Sequence, residues 1–167
     1  LNGFDISAAY RFDTAVAGKW RVSLDTTITD KYDNVTLPGT PATKVAGYYD
    51  RQYGNIAKLR MTGQLGWSMG DFTALAVARF IDKIKLSDPD GAPGVQPDLR
   101  VKAATYVDMT LGYTIPSFGT KVQLGVNNLT DKQPPILYQN NVINANTDVS
   151  TYDTIGRYFY LNLSHKF

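Results

Sequence analysis

The chain has 167 residues, 17 Lys and Arg against 15 Asp and Glu, and no cysteine. Without cysteine there is no disulfide framework and no thiolate metal site, and the nearly balanced, scattered charge gives no electrostatic footprint for nucleic acid. No run approaches the about 18–20 consecutive apolar residues of a membrane-spanning helix, and the mean hydropathy is −0.24.

The predicted elements are all strands. Gly3–Phe12 alternates Phe4, Ile6, Ala8, Tyr10 and Phe12 against Asp5, Ser7, Ala9 and Arg11. After a short link, Asp13–Gly18, the segment Lys19–Tyr32 sets Trp20, Val22, Leu24, Thr26 and Ile28 against Arg21, Ser23, Asp25, Thr27 and Thr29. This period of two is the signature of a strand with two unlike faces. A long Gly-, Pro- and Tyr-containing loop, Asp33–Asn55, follows. Ile56–Ser68 then places Leu59, Met61, Leu65 and Trp67 opposite Lys58, Arg60, Thr62 and Gln64, and Met69-Gly70-Asp71 turns the chain.

Phe72–Ile81 is ambiguous, because Leu75 and Val77 share a face with Arg79 while Phe72, Ala74, Ala76, Ala78 and Phe80 share the other. The phenylalanine face is expected to meet lipid, since a charge at a bilayer midplane costs about 2–4 kcal/mol. Asp82–Lys102 is a second long loop. Ala103–Ile115 sets Val107, Met109, Leu111 and Tyr113 against Tyr106, Asp108 and Thr110, and Pro116–Gly119 turns into Thr120–Asn128, where Val122, Leu124 and Val126 alternate with Lys121, Gln123, Gly125 and Asn127. A third long loop, Thr130–Thr151, leads to Tyr152–Phe167. There Phe159, Leu161, Leu163 and Phe167, interrupted by His165, oppose Tyr158, Tyr160, Asn162, Ser164 and Lys166.

The connections alternate short and long, and aromatic residues (Phe12, Trp20, Trp67, Phe72, Tyr113, Phe167) gather near the short-turn ends. Sorting of loops by side and an aromatic girdle are features of outer-membrane barrels with short periplasmic turns and longer external loops. The expected fold class is therefore all-β, an antiparallel transmembrane β-barrel. Seven strands do not close one, and an open sheet in lipid leaves two edges of unpaired backbone groups. Either an eighth strand is hidden or the chain is part of a larger barrel. It opens on Leu1 with no signal peptide, so its start is expected to lie inside a longer precursor, near an external loop.

Two stretches carry a family resemblance. Gly125–Pro135 reads GVNNLTDKQPP and the terminal sixteen residues read YDTIGRYFYLNLSHKF. Together they resemble the C-terminal part of TonB-dependent outer-membrane receptors, through Gly125, Asn128, Leu129, Asp131, Lys132 and Pro134 in the penultimate-strand run, then Tyr152, Gly156, Arg157, Tyr158, Leu161 and Phe167 in the closing one. His165 stands where that family commonly has Tyr, a departure that bears on the terminal assembly signal. The resemblance implies that residues 1–167 are the C-terminal segment, about seven strands, of a barrel of about 22 strands plugged by an N-terminal domain. It implies residence in the outer membrane of a Gram-negative bacterium and import of a scarce ligand (a siderophore-iron complex, a vitamin or an oligosaccharide) driven by TonB. The implied partners are outer-membrane lipid and lipopolysaccharide, the rest of the barrel and its plug, the barrel-assembly machinery, and the TonB complex, reached by strand addition through an absent N-terminal part.

No catalytic constellation is visible, and neither enzyme activity, a metal nor a cofactor is expected. His165 is the only histidine and lies near the end of the chain. Asp88-Pro89-Asp90-Gly91 opens like a calcium loop but lacks the downstream Glu, so it reads as a turn. Candidate ligand contacts lie in the long loops. Tyr48, Tyr49, Arg51 and Tyr53 combine flat rings with hydrogen-bonding groups, and Tyr138, Gln139, Asn140 and Asn141 offer amide recognition. The competing reading for the tyrosines is loop-on-loop packing or a place at the outer interface. Arg11, Arg21, Arg60, Arg79 and Arg157 are expected in the lumen, steering anions or paired with acids such as Asp25 and Asp108. Besides the importer, three readings compete: a small complete barrel acting as anchor, adhesin or surface enzyme, a passive porin-like channel, and a soluble β-sandwich binding module.

Overall fold

The computed structural model describes residues 1–35, 37–39, 41–50, 54–86, 100–137 and 146–166. In chain order the strands are β1 (Asn2–Thr14), β2 (Gly18–Lys31), β3 (Asp33–Asn34), β4 (Thr43–Lys44), β5 (Tyr48–Asp50), β6 (Gly54–Asn55), β7 (Leu59–Met69), β8 (Phe72–Ile81), β9 (Ile84–Leu86), β10 (Arg100–Val101), β11 (Ala104–Ile115), β12 (Thr120–Asn127) and β13 (Tyr158–His165). The seven long ones form one sheet in the order β1-β2-β7-β8-β11-β12-β13, every neighbour antiparallel. The short turns at one end carry a 3-10 turn at Pro116–Phe118 closed by Gly119.

Register holds the two faces apart. One row of directly opposed residues runs Phe12, Trp20, Trp67, Ala74, Leu111, Leu124, Leu161, and the next runs Tyr10, Val22, Leu65, Ala76, Met109, Val126, Phe159. Neither row contains a charge. The opposite face carries Ser7, Asp25, Thr62, Arg79 and Tyr106 in one row and Arg11, Arg21, Gly66, Leu75, Thr110, Gly125 and Tyr160 in another. A single-residue slip in any pair would carry charged or polar side chains onto the apolar side.

The apolar face has no core beneath it: Val22 is 40%, Leu24 42%, Leu161 60% and Leu163 64% exposed. A contiguous apolar surface of this kind belongs against lipid rather than water. At its short-turn end Tyr10, Phe12 and Trp20 stack in succession with centroids 5.8 and 6.2 Å apart, Trp67 meets Trp20 tilted at 6.3 Å, and Phe72 meets Tyr113 at 4.7 Å. Both indole N–H groups donate to the Ala17 carbonyl in the first short turn, at 3.1 Å from Trp20 and 2.7 Å from Trp67. Rings on the apolar side with their polar atoms at the turns are what an interfacial girdle requires. His165 also lies at this end, its Nδ1 2.9 Å from the Thr120 hydroxyl opposite.

The polar face is satisfied by its own side chains. Ser7 donates to Asp25 and Thr27 to Asp5, both at 2.7 Å. Arg79 pairs with Asp108 at 3.2 Å and lies 5.5 Å over the Tyr106 ring, which confirms its assignment away from lipid. Tyr160 reaches across β12 to the Thr110 hydroxyl of β11, at 2.8 Å. Gly125 permits that crossing, because a Cβ there would stand 2.1 Å from the ring.

Two expectations are corrected. The closing strand begins at Tyr158 rather than Tyr152, because Tyr152 is buried and Gly156 takes φ +80°, which ends any extended run before it. The first two long connections are also not plain loops: β10-β9-β5-β6 form a second sheet, with β5 and β9 parallel, and β3 pairs with β4. The buried core of the described residues lies here, under the loops, where Tyr49, Ile84, Val101, Leu137 and Tyr152 pack on Tyr106. Phe167 and the Asp88–Gly91 turn lie outside the described residues.

The face assignment is tested by a pair of neighbours. Leu124→Arg is expected to cost about 2–4 kcal/mol in lipid vesicles, whereas Gln123→Arg is expected to change stability little. Denaturant unfolding midpoints read the difference, and equal losses would place both residues in one solvent.

Candidate functional site at the long-loop rim

The rim is held by a latch built from the β12 exit. Asn128 is fully buried, with φ +51°, and Asp131 has φ +52°, a left-handed conformation that Asn and Asp tolerate better than most residues. The Asn128 amide N–H donates to Asp108 of β11 at 2.8 Å, and Leu129 N–H to the Val107 carbonyl at 2.7 Å. The Asn128 side chain closes a ring on Lys132, accepting from its N–H at 2.8 Å and donating to its carbonyl at 3.0 Å. Asp131 then accepts from Arg157 N–H at 3.0 Å, while the Arg157 guanidinium donates to the Leu129 carbonyl at 3.4 Å. Gly156 passes so close that a Cβ would lie 3.2 Å from Asp131 Oδ1. Asn128, Asp131, Gly156 and Arg157 thus join β11, β12 and the approach to β13. Pro134, with no N–H, follows where the ladder has already ended.

On the β2–β7 side of the rim, the lumenal face opens into a cavity of about 480 Å³ lined by Thr27, Thr29, Asn55, Arg60, Ser150 and Thr151. Asn55 is 3% exposed; its side-chain amide donates to the Tyr152 hydroxyl at 2.7 Å, and Arg60 donates to its carbonyl. Asp148 caps its own turn, one carboxylate oxygen accepting from the Ser150 N–H at 3.1 Å and from the Ser150 hydroxyl. Its other oxygen, Oδ2, and Asn55 Oδ1 are both buried without a hydrogen-bond partner among the described residues. Asp148 Oδ2 lies 3.8 Å from where a Gly54 Cβ would stand, against the same cavity wall. Buried acceptors left without donors are costly, and in folded proteins most are satisfied by protein, water or a bound group. The chemistry on offer is hydrogen bonding by hydroxyls, one amide and one guanidinium.

The sequence-based ligand candidates are distributed differently. Tyr48 stands half-buried on the cap sheet, whereas Tyr49 is 4% exposed and packs in the core beneath it, so the loop-on-loop reading describes Tyr49. Arg51, Tyr53, Tyr138, Gln139, Asn140 and Asn141 lie outside the described residues. Of the arginines, Arg79 takes Asp108, Arg60 braces the cavity, Arg157 belongs to the latch, and Arg11 sits directly opposite Arg21. Asp25 accepts a serine hydroxyl rather than pairing with arginine. Asn55 and Asp148 escaped the sequence reading, and Tyr152 entered it only as part of the closing run, because nothing local marks Asn55 and Tyr152, 97 positions apart, as partners.

Burial pushes the Tyr152 hydroxyl up to about 12, against the opposing pull of the Asn55 hydrogen bond. The folded rim therefore favours neutral Tyr152: its contribution is intact below pH 10 and is lost as pH rises through about 12. Alkaline titration followed by amide exchange is expected to show the rim loosening in that window, and Tyr152→Phe to remove the pH dependence. Asp131→Ala is expected to loosen the latch by about 1–2 kcal/mol, read as roughly tenfold faster exchange at the Arg157 amide.

The family described as TonB dependent receptor-like, beta-barrel matches residues 1–129, which takes in β1 to β12 and the first latch residues. No curated protein and no solved structure matches the chain. Proteins of this family are outer-membrane transport receptors of Gram-negative bacteria that in general carry a plug and work with TonB. With its apolar girdled face, its wet opposite face and a match over most of its length, this chain belongs to the TonB-dependent receptor β-barrel family and forms outer-membrane barrel wall.

Proposed function

We propose that this chain supplies the last seven strands of a plugged barrel of about 22 strands, importing a scarce polar ligand by TonB-driven transport. The sheet has two open edges, β1 and β13, among the described residues. Backbone groups cannot stay unpaired in lipid, so further strands complete the wall.

The observation that carries the ligand reading is the lumenal cavity itself, lined by Thr27, Thr29, Asn55, Arg60, Ser150 and Thr151. A ligand rich in hydroxyl or amide groups exchanges hydrogen bonds with the Thr27, Thr29, Ser150 and Thr151 hydroxyls and donor bonds from Arg60. That favours a polyhydroxylated or amide-bearing solute, an oligosaccharide or a siderophore-iron complex, over haem, since no histidine lines the cavity. In this reading the rim makes the first contacts, and movement of the plug, energised from the inner membrane, opens the onward path.

The full-length receptor in a receptor-deficient Gram-negative host tests this with a panel of labelled iron chelates, cobalamin and oligosaccharides. One class is expected to accumulate, accumulation is expected to stop when the proton-motive force is collapsed, and Asn55→Leu is expected to weaken uptake about tenfold with the barrel still heat-modifiable. Accumulation that survives the uncoupler would point to a passive channel, and no accumulation of any class to an anchor or adhesin.

A further inference from the structure

The connection from β12 to β13 reaches well away from its own two strands. Its Ser150 and Thr151 line the same cavity as Thr27 and Thr29 at the end of β2 and Arg60 of β7. From β13 to β7 is four strands along the sheet, about 19 Å at about 4.8 Å per neighbour. Asn146–Gly156 therefore lies over the lumenal face as a strap, with its middle against the far wall.

The strap is a self-bonded unit between two turning points. The Asp148 carbonyl accepts from Thr151 N–H at 3.1 Å and from Tyr152 N–H at 2.9 Å, its carboxylate accepts from Ser150 N–H at 3.1 Å, and the Asp153 carboxylate accepts from Ile155 N–H at 3.0 Å. Asn146 and Gly156, at its two ends, take φ +49° and +80°. At both ends the chain is pinned to the rim: Leu137 N–H donates to the Asn146 carbonyl at 2.7 Å, and Arg157 N–H to Asp131 at 3.0 Å. A compact body between pinned, sharply turning ends is the layout of a hinged segment, in which a few terminal residues absorb the change of angle.

Docking of this body has opposed terms. The Tyr152 ring is buried in the core under the loops and its hydroxyl accepts from the Asn55 amide, which favours contact. Against it, Asp148 Oδ2 is pressed toward Gly54, and it and Asn55 Oδ1 meet no donor among the described residues. Release would return both oxygens to water, so part of what is lost when Tyr152 leaves the core is recovered.

We infer that Asn146–Gly156 is a gate: the strap swings off Gly54–Asn55 about its two ends, and this less populated open state admits solute to the lumenal cavity. Ser150 and Thr151 leave the far wall with it, and the seating of Tyr152 sets how often it opens. The gating role rests on that cavity being a ligand contact; the swing does not, and it is measured with no solute present.

Full-length receptor with any other cysteine replaced carries nitroxide labels at Thr29→Cys and Ser150→Cys in phosphatidylcholine nanodiscs. The directly opposed wall pair Ser23→Cys/Gln64→Cys is the control, and electron paramagnetic resonance reads both distances. The strap pair is expected to show a short and a less populated longer distance, the wall pair a single one. Tyr152→Ala is expected to raise the long-to-short ratio at least about tenfold. Sucrose, excluded from newly wetted surface, is expected to lower the ratio in wild type, an arm that stands if Tyr152→Ala fails to insert. Access is read by Ala57→Cys, 3% exposed in the same core as Tyr152, whose reaction with a charged thiol reagent is expected to quicken with the ratio. A single short distance in every background overturns the inference, as does a ratio indifferent to sucrose. A longer distance in the wall pair as well would make the whole wall the moving part and overturn the strap. A swing that leaves Ala57→Cys labelling unchanged overturns the gate.

Discussion

A backbone crossing lipid has no water to satisfy its N–H and C=O groups, so each must pair with a neighbouring strand. That constraint makes the antiparallel ladder obligatory here and fixes its register, because one face must meet hydrocarbon and the other an aqueous lumen. The rows running unbroken from Phe12 to Leu161 and from Tyr10 to Phe159 are its direct expression. Stability in such a wall is not supplied by a dry interior. It comes from lipid on one side and a self-satisfied polar layer on the other, in which Arg79, Asp108, Tyr160 and Thr110 find each other.

Where the wall leaves the hydrocarbon, the physics changes. The first two long connections fold back into a small sheet, and its inner face buries Tyr49, Ile84, Val101 and Leu137 on Tyr106, as a soluble protein would. Beside the wall's end, the Asn128–Asp131 turn ties the β12 exit to β11 and to the residues before β13. The same few residues that stop the ladder therefore set the rim's shape. Against that rigid rim the unsatisfied Asn55 and Asp148 oxygens are held in place by groups whose other hydrogen bonds are made.

The rim also carries two chemistries. Hydroxyls and one guanidinium line the lumenal cavity, and lysines and Arg100 line a second cavity beside Gly47. A two-residue alternation sorts the cap sheet as it sorts the wall: Ile84 enters the core and Lys85 is left exposed.

Strand existence, strand order and the identity of the lipid face were readable in the sequence, because a membrane imposes its solvent preference on every second residue and the pattern is local. The Gly125–Pro135 run was readable too, since a ladder stop needs particular residue types close together. The cap was not: its β5–β9 pairing, the Asn55–Tyr152 hydrogen bond and the burial of Tyr49 join segments far apart in the chain. Tyr152 illustrates the limit, for it continues the alternating pattern of the closing strand yet belongs to the core beneath the loops. Periodicity tells a residue which side to take, but which distant partner waits on that side is decided only when the loops close over one another.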